Sequence, residues 1–538
     1  MRKIFLYAPV FLILALLLMF LQGGCNRVNS ATGVSERIVI GLDQEPLVLN
    51  PYIPEGTSMA TKLVTSNVLW GLLSVTPDLR YVPRIVERVP TINNGLVTKN
   101  PFTVTFEIKK NAVWSDGAPI TSSDVKFTWE TIMNSKNCVT NRFGYDQIER
   151  IDTPHEKTVT IVFKRPYPAY NSLFTSSFPI LPKHILEGKR IHEAMNDFLS
   201  FASGPYKFKE WNRGKQLVIE PNESFWGAKP KIKKVTFKFM PDRAACIAGL
   251  ERGSLDLIYS QFDEQDIARL KAVRGKVTNV NKGLLWDHVG FNLSKSPLDD
   301  INVRRAVAYA IDRRKIARLA TGDPHPLDSV VVAEQAFYTP AWRSYDYNVR
   351  KAKDCLLKAG YSAGSNGIYE KDGKPLTLTI SMVTGNPIRE KVEMLIKENL
   401  ELAGIKVEIK NSTPDVFFNS CLPEGKFDIG LWGWLDSVEP DLRYRFASDK
   451  IPPAGQNYYR YSDPEINSLL NSIDTEIDAS RRFDNYYKVQ AKLSGDLVVI
   501  PLYRHLQALS YDKKIKGVVN NTTEEGPLYD LNKWWIIK

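Results

Sequence analysis

The sequence is short of the two residue types that most often announce chemistry. Five cysteines and six histidines are spread over 538 residues. Past Cys25 the cysteines stand at 138, 246, 355 and 421 without a C-x-x-C pair, which excludes a disulfide-built scaffold and leaves any pairing among them open. The histidines, at 155, 184, 192, 288, 325 and 505, share no metal-binding spacing. His192-Glu193-Ala194-Met195-Asn196 opens like the helix of a zinc protease, but Asn196 stands where the second ligand belongs. Phosphate-cradling G-x-x-x-x-G-K-[ST] and dinucleotide G-x-G-x-x-G motifs are missing. Ala363-Gly364-Ser365-Asn366-Gly367 lies in turn-rich sequence, whereas a nucleophile elbow needs a strand before it and a helix after. Paired carboxylates survive this sieve, because sequence does not give their separation. An exported glycosidase or peptidase therefore stays open at this stage.

Long apolar runs are missing as well, except at one place. Arg2 and Lys3 precede the uncharged stretch Ile4 to Leu21, which leads to Gln22-Gly23-Gly24-Cys25. A basic start, an apolar middle and small residues at the end read as an export signal over 1–24. Gly23-Gly24-Cys25 resembles a bacterial lipobox, with Gln22 where that box carries an aliphatic residue. Cys25 is the expected lipidation site, and 25–35 is a polar, lipid-anchored tether. No second run of this kind follows, so the remainder is expected to be a soluble body large enough for two or three domains.

Charge of one sign is in modest excess. The formal net charge of +11 falls to +9 when Arg2 and Lys3 leave with the signal. The basic residues are scattered among 60 acids, with no Arg-rich tail and no zinc-finger or RNA-binding signature, so nucleic acid is not an expected partner. An exported chain facing an acidic envelope accounts for the excess.

What is present is α/β patterning. Phe102, Val104, Phe106 and Ile108 alternate with polar residues, and the same period recurs at Val159-Ile161-Phe163, Val235-Phe237-Phe239 and Leu376-Leu378-Ile380. Thr121-Ser122-Ser123-Asp124 reads as a capping box before a helix carrying Val125, Trp129, Ile132 and Met133. Val303, Val307, Ala310 and Ile311 predict another helix, its arginines mostly on the solvated side. A third is predicted over 388–403, stopping at Gly404 and turning into the strand Ile405-Val407-Ile409. Breaks fall near 203–205 and 293–297. Long linkers and repeats are absent, so the domains are expected to be docked or interwoven.

One stretch stands out chemically. "LWGWLDSVEPDL", Leu431 to Leu442, places two tryptophans beside Asp436, Glu439 and Asp441. Tryptophans seek apolar neighbours, while the acids seek water or a cation. Asp436 could be a catalytic carboxylate, a metal ligand, the receptor of a ligand's positive group, or a loop acid.

Several stretches together resemble the bacterial extracytoplasmic solute-binding proteins, family 5, the oligopeptide- and dipeptide-binding lipoproteins of ABC importers. They are "VWSDGAPITSSDVKFTWE" (113–130), "SGPYKFKEW" (203–211) and "FNLSKSPLDDINVRRAVAYAIDRRKI" (291–316), with "GLDQEPLVLNP" (41–51), "RGSLDL" (252–257) and "LELAGIKVEI" (400–409) in the same order. The resemblance implies an α/β protein of the two-lobed periplasmic-binding type II fold with an extra subdomain in the first lobe. Lobe I would comprise 36–85, 204–290 and 506–538, the inserted subdomain 86–203, and lobe II 291–505. Ligand would be enclosed between the lobes. In the family's peptide binders, an aspartate four residues before the proline of an acidic-Pro pair holds the ligand's α-ammonium, a role that falls here on Asp436 before Glu439-Pro440. The family's Gly-Trp usually sits one residue further from that aspartate than Gly433-Trp434 does. Two segments would pair with the peptide main chain as added strands do: Trp432, Gly433, Trp434 and Asp436 on one side, Glu55, Gly56 and Thr57 on the other. The plain alternatives are a helix-start loop acid, core tryptophans and an exposed turn. Asn457-Tyr458-Tyr459 is a weaker cleft candidate. Dipeptide-selective members place an arginine in the region of Met382 to Pro387; here there is none, and Arg389 lies just beyond.

The expected protein is thus a monomeric binding lipoprotein without catalytic residues, cofactor or metal. Its partners would be a peptide, the permease of an ABC importer, and the outer face of the bacterial cytoplasmic membrane (the periplasm in a Gram-negative cell). Within the same family the cargo could instead be oligosaccharide or, less in keeping with so few histidines, nickel or haem.

Overall fold

A computed structural model describes residues 36–537. The expected export signal over 1–24, Cys25 and the expected tether over 25–35 lie outside the described residues.

The alternating segments become strands for the expected reason. Across Phe102–Glu107 the residues Phe102, Val104 and Phe106 point inward while the threonines between them stay half-buried. Thr121 caps the helix Ser122–Met133, and Asp124 reaches back to the Thr121 amide at 2.7 Å. Asn386 and Pro387 start the helix Pro387–Leu402. Gly404, at φ +87°, turns the chain into the strand Lys406–Ile409.

Ten strands form one mixed sheet. In spatial order they are Lys406–Ile409, Thr377–Met382, Ile429–Leu435, Lys276–Phe291, Val499–Asp512, Leu257–Ser260, Arg37–Leu42, Lys234–Phe239, Gln216–Pro221 and Tyr206–Asn212. A separate antiparallel sheet orders Val97–Lys99, Phe102–Glu107, Thr158–Phe163 and Ile148–His155. It shares a continuous apolar core with the Arg37–Leu42 side of the large sheet, through residues such as Trp114, Phe174 and Phe237. A second large core, around Trp286, Trp342, Trp432 and Ile500, belongs to the other side.

Two long antiparallel strands join these cores. The first half of Lys276–Phe291 pairs with Leu506–Asp512, and its second half with Val499–Arg504 and with Ile429–Leu435. Register breaks between Lys282 and Trp286 and again between Asp287 and His288, at the point where the strands pass from one core to the other. A local bulge weakens the ladder and bends it.

Arg304, on the helix Ile301–Ala310, departs from the expected solvated side, and Arg313, at the start of the next helix, is buried too. Arg304 is buried and donates to the carbonyls of Leu298, Asp299 and Asp496. Arg313 reaches the carbonyls of Leu327 and Trp342 and lies 3.0 Å from Asp328. A guanidinium with five donors satisfies loop carbonyls that no strand reaches, so inward placement stabilises the loop. Cys138, Cys246, Cys355 and Cys421 are all free thiols, the first exposed and the others buried.

Candidate functional site

The strand Ile429–Leu435 carries the tryptophan stretch alongside Leu285–Phe291, and the pairing determines what each residue touches. Gly433 lies opposite Asp287, and a Cβ there would come within 2.7 Å of the Asp287 carboxylate. Asp287 is fully buried and accepts from Arg389 Nε and Nη2 (2.9 and 2.8 Å) and Tyr503 Oη (2.8 Å), with His505 Nε2 at 3.0 Å. Burial alone would raise its pKa; His505 and Arg389 instead hold it far below the usual carboxylate range. Arg389 is therefore committed to an internal carboxylate.

Trp432 is buried and stacks on Tyr459 at 5.4 Å, so it is a core residue. Trp434 is half-buried; its Nε1 donates to Tyr459 Oη at 2.8 Å and its ring lies parallel to Tyr458. Tyr459 Oη lies 2.8 Å from His288 Nε2; burial pushes the His288 pKa down to about 3, so the imidazole is neutral and shares a hydrogen bond with the phenol. Asn457 is buried and donates to the carbonyls of Phe446, Ala447 and Tyr461, holding a turn.

Asp436 follows the strand, its side chain wholly inaccessible. Its Oδ1 accepts from Arg445 Nη1 at 2.7 Å, while Oδ2, with the Trp286 indole beside it, makes no well-formed hydrogen bond. Arg445 also donates to Leu435 O at 3.0 Å and lies 4.8 Å over the Trp434 ring. Burial raises the Asp436 pKa, and Arg445 opposes that rise. Glu439 pairs with Arg482 at 3.1 Å. Asp441 caps the short helix Leu442–Phe446 by accepting from the Tyr444 amide at 2.9 Å.

Across the molecule, Pro54–Gly56 is a single helical turn in which Glu55 and Thr57 are exposed and Gly56 is buried. Gly56 backs onto Asn50 so closely that a Cβ would lie 1.7 Å from the Asn50 carbonyl oxygen. Gly56 and Thr57 line a cavity of about 190 Å³ with Thr140, Asn141, Ser177 and Glu524. Ser177 Oγ donates to Glu524 at 2.6 Å. Thr140 and Asn141 also line a larger cavity of about 770 Å³, whose far wall is Asp441, Arg443, Tyr444, Lys450 and Asp474. Its near wall includes Arg142, Phe143, Asp146 and Arg165. The two cavities thus adjoin and run between the cores. Through Thr140 and Asn141 the cavity beside the 54–57 turn meets the one walled by Asp441, Arg443 and Tyr444, while Trp432, Gly433, Trp434 and Asp436 line neither.

This cavity carries both signs of charge. Asp474 has its pKa pushed up to about 7 by burial and by the neighbouring Asp441, with Arg443 3.7 Å away opposing. Sequence reasoning missed Asn141, Arg165, Arg443, Lys450 and Asp474. They come from four separate segments, and no local spacing marks them. Among the described residues no group of three His, Cys, Asp or Glu is placed to hold a metal, and no helix is long and apolar enough to cross a membrane.

Comparison with known proteins places this geometry in a family. The pattern of the bacterial extracellular solute-binding proteins, family 5 (middle), matches residues 80–449. The oligopeptide-binding protein AppA of Bacillus subtilis is 26% identical over 98% of both chains, and OppA of the same organism 24% over 92% of both. Among solved structures, the periplasmic EDTA-binding protein EppA superposes with a TM-score of 0.84 at 24% identity, over 94% of this chain and 97% of its own. AppA from Bacillus subtilis in complex with a nonapeptide gives 0.74 at 24% identity, over 93% and 99%. The chain belongs to the family 5 extracellular solute-binding proteins and has their type II periplasmic-binding fold.

Proposed function

From this membership we propose that the chain is the extracytoplasmic receptor of an ABC importer: it captures oligopeptides between its two lobes and hands them to a membrane permease. It acts as a monomer, anchored through a lipid on Cys25 to the outer face of the cytoplasmic membrane. The observation that carries the reading is the interlobe cavity of about 770 Å³ with carboxylates and cations on facing walls. A zwitterionic ligand with an ammonium at one end and a carboxylate at the other needs both. The peptide main chain runs past Gly56 and Thr57 and along the wall of Asp441, Arg443 and Tyr444, and, once the lobes have parted, its α-ammonium reaches past that wall to Oδ2 of Asp436. Reaching that oxygen requires the lobes to part at the bulged strands and reclose on ligand. AppA, a peptide binder aligned along nearly the whole chain, supports this cargo.

Mass spectrometry of molecules that co-purify with the protein tests the reading directly: peptides are expected, and sugars or metal chelates in their place would overturn it. A mixed peptide pool should also raise the melting temperature, by about 2.7 kcal/mol of stabilisation at 100 times the dissociation constant. Cello-oligosaccharides should not. Cys25→Ser should release the protein from membranes or block its maturation.

A further inference from the structure

At the far end of the first core, basic and apolar side chains share one face. Lys229, Lys231 and Lys233 are exposed on the segment leading into the strand Lys234–Phe239. Beside them the C-terminal strand Trp535–Ile536 pairs with Ile515–Lys516, which sets Lys516 opposite Trp535. The amide of Ile537 bonds Lys514 O at 2.9 Å. Trp535 is 41% exposed and Ile537 43%, so both apolar side chains lie open to solvent beside the lysines. Lys231 Nζ lies 5.2 Å from the centre of the Trp535 ring. A shallow groove of about 400 Å³ runs between the segment Lys229 to Lys233 and Trp535 and Ile536, with Glu36 also in its wall. Nearby Lys276 and Lys533 are ion-paired with Asp512 and Asp530, but Lys229, Lys231, Lys233, Lys514 and Lys516 have no carboxylate partner among the described residues.

Glu36 fixes the meaning of the place. It is the first described residue, its carbonyl oxygen accepts from the Lys233 amide at 2.7 Å, and ten residues separate it from Cys25. Ten residues span at most about 35 Å fully extended. A protein lipidated at Cys25 therefore carries this face, whose groove Glu36 lines, within reach of the bilayer.

We propose that the face formed by Lys229, Lys231, Lys233, Lys514, Lys516, Trp535 and Ile537 docks on the anionic phospholipid surface of the membrane. Lysines neutralise headgroup charge while the indole and Ile537 enter the interface, where tryptophan is favoured. The contact turns the anchored protein so that one end of lobe I is against the lipid and the cleft is held away from it. The inference rests on the lipid-anchor reading for its geometry, and the two are separable by experiment.

The mature protein is combined with vesicles of phosphatidylcholine alone or mixed with phosphatidylglycerol, each doped with brominated lipid. Flotation at high salt, which screens the lysines, reports the anchor. Quenching at low salt of the fluorescence that Trp535→Phe removes reports the face. Quenching is expected in the phosphatidylglycerol vesicles, weakly if at all in phosphatidylcholine, and should vanish in Lys231→Glu/Lys233→Glu/Lys516→Glu. Each reversal should lower binding about fivefold or more. Flotation without Trp535 quenching, or equal quenching in both lipids, overturns the face and leaves the anchor. Low-salt quenching without high-salt flotation overturns the anchor and leaves the face, and loss of both overturns both.

Discussion

Replacing Asp436 by Asn separates two roles that one buried carboxylate can hold. In the ligand-free protein the substitution removes the counter-charge of Arg445, whose side chain is 9% exposed. Breaking a buried pair by removing one partner typically costs about 3–5 kcal/mol, because the other charge is left uncompensated. Asn retains a carbonyl oxygen for Arg445 Nη1, Leu435 O and the Trp434 ring remain in place, and burial already raises the Asp436 pKa towards the uncharged form, so a loss below that range, about 1–2 kcal/mol, is expected. Asp436→Leu, which offers Arg445 no acceptor, should fall nearer 5 kcal/mol, and adding Arg445→Met should recover most of the loss. Urea unfolding of ligand-free protein, followed by the fluorescence of the second core, measures each variant. Affinity for one peptide with a free and with an acetylated amino terminus measures the ligand role. If Asp436 Oδ2 meets the ammonium, wild type prefers the free peptide by about tenfold or more, and the Asn variant narrows that ratio. An unchanged unfolding midpoint in Asp436→Asn would refute the buried pair. Equal wild-type affinity for the two peptides would remove Asp436 from the site.

Gly56→Ala should displace the 54–57 turn, because the new Cβ meets the Asn50 carbonyl oxygen at 1.7 Å; a loss of about 1–3 kcal/mol in thermal unfolding and weaker peptide binding are expected. His288, with a folded pKa of about 3, lies below its unfolded value near 6.5, so its contribution is complete above pH 6.5 and is lost as pH falls towards 3. The denaturation midpoint should drop across that window by up to about 1.4 kcal/mol per pH unit, and less steeply in His288→Phe. Asp474 runs the other way: its folded pKa of about 7 exceeds the unfolded 3.9, so stability is lost as pH rises through 7. Asp146, Asp441, Arg165, Arg443 and Lys450 share its cavity. Asp474→Asn should gain on the order of 1–2 kcal/mol at pH 8 relative to pH 4, and a gain confined to low pH would contradict this.

The strands and caps were legible because each is a local pattern with one buried face. Phe102 to Ile108, the Thr121 box and the Gly404 stop all carry their cause within a few residues. The partner of Asp436 was not, since Arg445 approaches only after the Pro440 turn and one turn of helix. Arg389 shows the same limit: it lies near the region where an anion receptor was sought, yet Asp287, more than a hundred residues away in sequence, occupies it. Glycine at 433 was read as part of a ligand-facing backbone, and the pairing with Asp287 gives it a packing reason as well. Cavity walls assembled from residues near 56, 141, 165, 443 and 474 depend on how two cores approach each other, which no periodicity encodes.

The long strand Val499–Asp512 stands between Lys276–Phe291 and Leu257–Ser260, near the middle of the ten-stranded sheet, yet it comes from the last forty residues of the chain. Neither lobe can complete its sheet until the ribosome has made almost everything. The N-terminal half must wait with an unfilled slot where its central neighbour will insert. Such late, non-local closure slows folding, and domains that would otherwise fold as they emerge from the ribosome cannot do so. Folding on both sides of the sheet is thereby tied to the arrival of a single strand.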